Sequence, residues 1–406
     1  MNAIHINHPA YPLPFIHMKI ESKLPNVGTT IFTLMSQLSA EHKAINLGQG
    51  FPDFDPDKKL IGLVSAAMND GHNQYPPMSG IPALRQAITN KVQSLYDHCY
   101  DAESEVTVTS GASEALMSSI MAFVKTGDEV VIIEPFYDLY IPVIELAGGI
   151  PVIVSMEAPT IQYPFYRVDW ERVRAAINAK TRMLIVNFPH NPTGINLTSL
   201  DMDELERIVM ETGILILSDE VYEHIIFDNK PHRSMASRES LAANSIVVSS
   251  FGKTYHTTGW KVGYCCAPKI LTAEIRKVHQ FGVFTVSSPM QVALAEHMED
   301  ASPYRELPAF YQEKYRTLTE GLKNTRFRPL PSQGTFFLLA DYSAVSDLPE
   351  SEFARWLTTE HGVGVIPVSA FYQQPDAPSS NHSLIRFCFA KQDQTLGEAI
   401  RRLKNV

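Results

Sequence analysis

Ser245-Ile246-Val247-Val248-Ser249-Ser250-Phe251-Gly252-Lys253 is a short β-branched apolar run that ends in two hydroxyls, a glycine and a lysine. The run predicts a buried strand. In an open α/β sheet the carboxyl end of such a strand delivers its residues to a crevice. A lysine there, with small neighbours, suits an amine that loses its proton near neutral pH and forms an imine with an aldehyde. Gly252 leaves room for a ring to approach. Taken alone, Lys253 reads better as one of many solvated surface lysines, and its companions upstream are what change that. A phosphate-binding loop is excluded, because that motif needs a glycine five places before Gly252 and Val247 stands there.

Upstream, Ile214-Leu215-Ile216-Leu217-Ser218-Asp219 is a second apolar run, and it ends in a carboxylate. Asp219 can pair with a protonated ring nitrogen and keep a heterocycle electron-poor, or it can simply cap a helix. Tyr222 follows three residues later and can donate to a phenolic oxygen. The strand Met183-Leu184-Ile185-Val186 leads into Asn187-Phe188-Pro189-His190-Asn191-Pro192-Thr193-Gly194. Its prolines and glycine force an irregular loop that presents Asn191, a second donor to a phenolic oxygen, on a rigid frame.

Val106-Thr107-Val108-Thr109 leads into Ser110-Gly111-Ala112-Ser113-Glu114, a small-residue turn that opens a helix. Free N–H groups at Gly111, Ala112 and Ser113 make an anion site there, although the same residues are also just a good helix start. Ser250 and the cation of Lys261, in Gly259-Trp260-Lys261-Val262-Gly263, can reach the same phosphate. Tyr137, preferred over Phe136 in Glu134-Pro135-Phe136-Tyr137, offers a face to stack on a ring, or core packing. Amine, carboxylate, phenolic-oxygen donors, stacking face and phosphate cradle together describe pyridoxal 5′-phosphate. Near the C-terminus, Leu384-Ile385-Arg386-Phe387-Cys388-Phe389 sets one arginine in an apolar strand. It needs an anionic partner, either a substrate carboxylate or a structural salt bridge.

From about Asn46 to the end, the chain resembles the fold-type I, pyridoxal-phosphate-dependent aminotransferases of class I/II. The lysine, Asp and Asn-Pro motifs stand in family order. Leu47-Gly48-Gln49-Gly50-Phe51-Pro52-Asp53-Phe54, Gly252-Lys253-Thr254-Tyr255-His256, Thr258-Gly259-Trp260-Lys261-Val262-Gly263 and Arg386-Phe387-Cys388-Phe389 are similar to the methionine aminotransferase and kynurenine/glutamine transaminase subgroup. The resemblance implies Lys253 as the Schiff-base lysine, Asp219 at the ring nitrogen, and Asn191 and Tyr222 at the phenolic oxygen. It implies Asn191, Arg386 and the Gly50 backbone at the substrate carboxylate. It also implies a homodimer, because Tyr75 would reach the phosphate of the neighbouring subunit. Lys261 stands where many relatives in the wider class carry arginine, and the subgroup shares the lysine.

The expected activity is ping-pong transamination between an amino acid, methionine or another bulky neutral or aromatic one, and a 2-oxo acid. Lys253 is the base that removes the α-proton, and the Asp219-paired ring takes up the electrons. A cysteine-conjugate carbon-sulfur β-lyase uses the same residues and stays open as the alternative. A cofactor-sensing regulator would need a DNA-binding module, and neither terminus shows a basic or helix-turn-helix pattern for one.

Composition is that of a soluble globule, with 45% hydrophobic and 19% charged residues among 406. The net charge of −10 disfavours nucleic acid and anionic membrane surfaces, so no partner of either kind is expected. Cys99, Cys265, Cys266 and Cys388 have neither disulfide-scaffold nor metal spacing, and no metal site is expected. His5, His8 and His17 form no ligand spacing either. Pro9, Pro12 and Pro14 interrupt the start, no basic-then-apolar leader is evident, and no run approaches the roughly 18 apolar residues of a membrane span. A cytoplasmic enzyme is expected.

Strands alternating with helical patterns from about Glu105 to Ala267 predict an α/β fold with a mainly parallel sheet covered on both faces. The expected helices include Ser113 to Lys125, Leu200 to Thr212 and Thr272 to Phe281. Beyond about Pro289 come a long amphipathic stretch, strands at Thr335 to Leu339 and Leu384 to Phe389, and a closing helix near Thr395 to Leu403. The expected division is an N-terminal arm and part of the small domain at 1–50, a large cofactor domain at 51–289, and a small α+β domain at 290–406.

Overall fold

The apolar runs form strands, and most of them join one sheet. A computed structural model describes residues 21–406; His5, His8, His17 and the rest of the first twenty residues of the expected arm lie outside the described residues. In chain order the strands are β1 (Ile45–Asn46), β2 (Val106–Thr109), β3 (Glu129–Glu134), β4 (Ile150–Ser155), β5 (Thr181–Asn187), β6 (Leu215–Asp219), β7 (Ser245–Ser250), β8 (Gly263–Cys266), β9 (Arg328–Pro329), β10 (Phe337–Asp341), β11 (Val363–Gly364), β12 (Ile366–Pro367) and β13 (Leu384–Cys388). The main sheet has the order β2-β8-β7-β6-β5-β3-β4. Strands β4, β3, β5, β6 and β7 pair in parallel, and β8 runs antiparallel to both β7 and β2. The link from β7 to β8 holds only the helical turn Phe251–Thr254 and a 3-10 turn at Thr258–Trp260. With no full crossover helix, the chain returns beside β7 in the opposite direction.

Alternation along the parallel strands fills two cores. Val131, Ile133, Leu184, Val186 and Ile216 face one side, where helix Ser199–Thr212 lays down Met202, Leu205, Ile208 and Val209. Val130, Ile132, Met183, Ile185, Leu217, Ile246 and Val248 face the other, under Ala115, Leu116 and Ile120 of helix Gly111–Phe123. Each such aliphatic side chain contributes ~1.5–3 kcal/mol by leaving water. Cys265 and Cys266 are buried on opposite faces of β8, as core thiols.

A second sheet, β12-β13-β10-β9, is antiparallel throughout. Its core takes in Leu338, Ala340, Ile385 and Phe387, and it also receives Met35 from helix Ile31–Glu41. Strand β1 pairs with β11 through Ile45 and Val363, so the segment before Gly50 packs with the C-terminal part of the chain. The expected change of character at Pro289 falls inside helix Ser288–His297. That helix packs on Lys58–Asn69 and Pro82–Tyr96, and so goes with the main-sheet layer. Element ends shift by a few residues: helix Gly111–Phe123 begins before Ser113, helix Lys269–Gly282 begins before Thr272, and β10 begins at Phe337 because Thr335 has a φ of 65°.

A buried charge cluster ties helix Pro82–Tyr96 to the main sheet. Lys91 Nζ donates to Glu223 Oε1 at 2.6 Å and to the Tyr264 hydroxyl at 2.6 Å, and Tyr96 donates to Glu223 Oε2 at 2.6 Å. Burial pushes the Glu223 carboxyl up, but Lys91 and its hydrogen bonds hold it well below the usual carboxylate range. Removing one member of a buried pair strands the other. Lys91→Met is therefore expected to destabilise the fold by ~3–5 kcal/mol in denaturant titration, and adding Glu223→Gln to recover a large part of that loss. Equal stability of Lys91→Met and the wild type would show that the pair carries no such constraint.

Candidate active site

The carboxyl edge of the main sheet is where the sequence-predicted residues meet. Strand β2 leads into Gly111, Ala112 and Ser113, β3 into Tyr137, and β5 into Asn191; β6 ends at Asp219 and β7 leads into Lys253. Lys261 precedes β8, and because β8 is antiparallel its beginning lies at the same edge, with Gly263 opposite both Ser250 and Thr109. From the second sheet, β13 brings Arg386, and the turn after β1 brings Gly50. Gly50, Gly111, Ala112, Ser113, Tyr137, Asn191, Asp219, Tyr222, Ser250, Lys253, Lys261 and Arg386 border one cavity of about 430 Å³, together with Gln49, Thr30, Phe32, Asp138, Asn187 and Phe337.

Lys253 Nζ donates to the Gly50 carbonyl at 3.0 Å and lies 5.2 Å from the Phe336 ring and 5.6 Å from that of Tyr222. Burial among these groups lowers its pKa to about 8. A neutral amine is therefore accessible near physiological pH. The room attributed to Gly252 is occupied by backbone: a Cβ there would meet Thr258 Cα at 3.0 Å. Of the two serines, Ser250 borders the cavity, whereas Ser249 points to the opposite face and donates to Glu223.

Asp219 is buried, and burial raises its pKa to about 6 against the opposing pull of its hydrogen bonds. Tyr140 donates its hydroxyl to Oδ2 at 2.8 Å. Asn187 donates to the Asp219 carbonyl at 2.9 Å and accepts the Asn191 N–H at 3.0 Å, fixing two candidate residues at once. The Tyr137 hydroxyl is pushed up to about 12 by burial, and the Tyr222 hydroxyl is also raised by burial. Both phenols stay protonated and can donate.

At the other end of the cavity, helix Gly111–Phe123 opens with Gly111 at a φ of +71°, and Ser110 supplies no side-chain cap. The first N–H groups of a helix lack intrahelical partners. Lys261 Nζ reaches Ser113 Oγ at 3.3 Å, and among the described residues no carboxylate pairs with Lys261. A Cβ on Gly263 would meet the Ala112 nitrogen at 2.7 Å, so strand and helix start are pressed together only because that residue is glycine.

Arg386 is 1% exposed. It donates to Asn191 Oδ1 at 2.6 Å and to the Gly48 carbonyl at 3.0 Å, with aromatic rings of Phe337 at 3.8 Å, Phe371 at 4.8 Å and Phe32 at 5.4 Å. Among the described residues its Nε has no partner and it forms no salt bridge with a carboxylate. Burial lowers its pKa to about 10, which leaves it charged at neutral pH. A fully buried guanidinium with a spare donor can take an incoming carboxylate.

Tyr75 stands apart from the other candidates. It is 85% exposed, packs edge-on against Phe284, and does not border the cavity. Phe284 likewise lies outside both cavity and core. The sequence reading missed Tyr140 and Asn187, which act through Asp219 and Asn191, and Thr30 and Phe32, which arrive from the N-terminal helix. Asn187 opens a run already singled out and Tyr140 lies three residues beyond Tyr137, but only the fold shows which way their side chains point.

The donor set fits pyridoxal phosphate part by part: an uncapped helix start with an unpaired lysine for the phosphate, Asp219 for a ring nitrogen, Tyr222 and Asn191 for the phenolic oxygen, Tyr137 for the ring face and Lys253 for the aldehyde carbon. The chain matches aminotransferase class I and II over residues 42–403. It is 47% identical over 387 residues to the methionine aminotransferase of Escherichia coli, covering 95% of this chain and 98% of that protein. It is 33% identical over 413 residues to the kynurenine–oxoglutarate transaminase of Dictyostelium discoideum, covering 94% and 95%. A crystal structure from Escherichia coli, described as having a methionine aminotransferase function, superposes with a TM-score of 0.91 at 47% identity over 96% of this chain and 100% of that one. The chain belongs to the class I and II aminotransferases and is a pyridoxal-phosphate-dependent aminotransferase.

Proposed function

We propose that this aminotransferase moves the amino group of methionine, and of other bulky neutral or aromatic amino acids, to a 2-oxo acid. The extended likeness to a methionine aminotransferase supports the amino donor. The observation that carries the reading is Arg386, a buried cation with a spare donor in the cavity that Lys253 also borders. Apolar walls at Phe32, Phe337 and Leu116 suit an uncharged side chain.

Pyridoxal phosphate, when bound, supplies an aldehyde for imine exchange and an electron-poor ring that stabilises charge at the substrate α-carbon. Gly111, Ala112, Ser113, Ser250 and Lys261 hold its phosphate. Asp219, steadied by Tyr140, keeps the ring nitrogen protonated, Asn191 and Tyr222 donate to the phenolic oxygen, and Tyr137 covers the ring face. Arg386 and Asn191 fix the substrate carboxylate beside the Gly50 backbone and so place the α-hydrogen near Lys253. The Lys253 amine, in its neutral form, would take that proton and hold it beside the bound cofactor. The same groups serve the acceptor half-reaction in reverse, which gives ping-pong kinetics.

The assembly proposed is a homodimer in which the exposed Tyr75 serves the partner subunit's phosphate site. The chain organisation proposed is a large cofactor domain followed by a small C-terminal one, with residues 1–50 as an arm and part of the small domain. No helix among the described residues is long and apolar enough to cross a membrane. A cytoplasmic setting is proposed on composition.

Titrating the holoenzyme with methionine in the absence of an oxo acid tests the function. Loss of the bound cofactor's visible band with one equivalent of 2-oxo acid is expected. An unchanged band with continuous ammonia release would assign the chain to elimination instead. Lys253→Ala should lower kcat by at least ~10²–10⁴-fold while some cofactor binding remains; retained turnover would remove Lys253 from the role of base. Arg386→Ala should raise KM for the amino acid, with kcat/KM falling at least ~30-fold, and an unchanged KM would make Arg386 structural. With its amine pKa lowered from 10.5 to about 8, Lys253 gains its neutral form as pH rises through that value. Covalent capture of pyridoxal phosphate by the apo chain, read by mass after borohydride reduction, should therefore climb between roughly pH 7 and 9. Capture that climbs only above about pH 10 would show that burial leaves the amine unperturbed.

A further inference from the structure

Two carboxylates border the cavity, Asp219 and Asp138, and only Asp219 has a part in the chemistry above. Asp138 follows Tyr137 beyond the carboxyl end of β3 and is half-buried. Among the described residues no side chain ion-pairs with it, and its one hydrogen-bond donor is its own backbone N–H. Burial pushes its pKa up, and the field of Arg386 draws it back, so the two charges feel each other across the cavity. The cations bordering the same space are Lys253, Lys261 and Arg386, and each has a part already: covalent anchor, phosphate and substrate carboxylate. A substrate with a second carboxylate would bring that charge into a confined space that, among the described residues of one chain, holds an unneutralised anion and no uncommitted cation. Like charges repel strongly where water is scarce, and specificity is built from such repulsion as much as from attraction. An amide or thioether of similar length meets no such repulsion.

We propose that Asp138 is a specificity-determining residue whose charge excludes amino acids and 2-oxo acids bearing a second carboxylate, confining the enzyme to monocarboxylate substrates. The inference rests on the functional reading above, since it takes Arg386 as the carboxylate site.

Glutamine and glutamate differ in charge but scarcely in shape, so kcat/KM for each as donor is compared in wild type, Asp138→Asn and Asp138→Glu holoenzymes. Wild type should favour glutamine, and Asp138→Asn should narrow the ratio by ~10-fold or more, chiefly by improving glutamate. Asp138→Glu, which keeps the charge, should keep the preference. A readout free of turnover is the Kd of glutarate against its monoamide, measured by calorimetry on the same holoenzymes, with the same narrowing expected. A ratio unmoved by Asp138→Asn in both measurements, or a wild type that takes glutamate as readily as glutamine, overturns the proposal. If Asp138→Asn does not fold, Asp138→Ser carries the same expectation. Wild type that fails to turn over methionine would defeat the substrate reading, while the glutarate pair still decides the part of Asp138.

Discussion

Charge buried without neutralisation is the constraint on which this molecule depends. Arg386, Lys253 and Asp219 are withdrawn from water around one cavity, and each pKa is displaced toward the neutral form by burial. Placing isolated ions there is unfavourable unless partners meet them. The chain partly satisfies each with neutral groups: carbonyls of Gly48 and Gly50, the Asn191 amide and the Tyr140 hydroxyl. Such partners hold geometry without cancelling charge. What remains uncancelled is the attraction available to an anionic, nitrogen-bearing ligand set.

Holding those charges in register requires two sheets to share a wall. The segment after β1 is stitched to β13 and the residues beyond it. Leu47 accepts the Cys388 N–H, Gly48 accepts from Arg386, Phe51 accepts from Lys391 Nζ at 2.8 Å, and Asp53 accepts from Gln392 and Thr395. Lys253, from the main sheet, joins the same segment at Gly50. Three cations on two sheets thus grip one turn through its carbonyls. Asn191 extends the link, because its backbone is tied to Asn187 of β5 and its side chain to Arg386 of β13. A shift of either sheet would therefore be felt at both ends of the cavity. The Phe32, Phe337 and Phe371 rings around Arg386 keep water from replacing these contacts.

Much of this was legible in the residues. Apolar runs that end in Asp219, in the loop to Asn191 and in Lys253 identify a sheet edge and its chemistry, because strand length and burial are written in local composition. Twelve of the thirteen candidate residues border one cavity; Tyr75 is the exception, exposed within a single chain. The direction of β8 was not legible. Its apolar run reads the same both ways, and only the short link after β7 makes it return antiparallel and put Lys261 at the working edge. The place of helix Ser288–His297 was equally hidden, since its change of character lies in what it packs against and not in its own pattern.

The sequence by itself determined the inventory: which chemical groups are present, that most of them follow strand ends, and that they belong to an aminotransferase. Local periodicity and short motifs suffice for that, because each is decided within a few residues of chain. Tertiary structure alone decided how the groups meet and what charge they keep. Tyr140 reaches Asp219 from the start of the helix beyond β3, Gly50 reaches Lys253 across some two hundred residues, and Asp138 shares a cavity with Arg386 while no side chain among the described residues ion-pairs with it. Desolvation and field depend on distance in space, and the order of residues along the chain does not encode that distance.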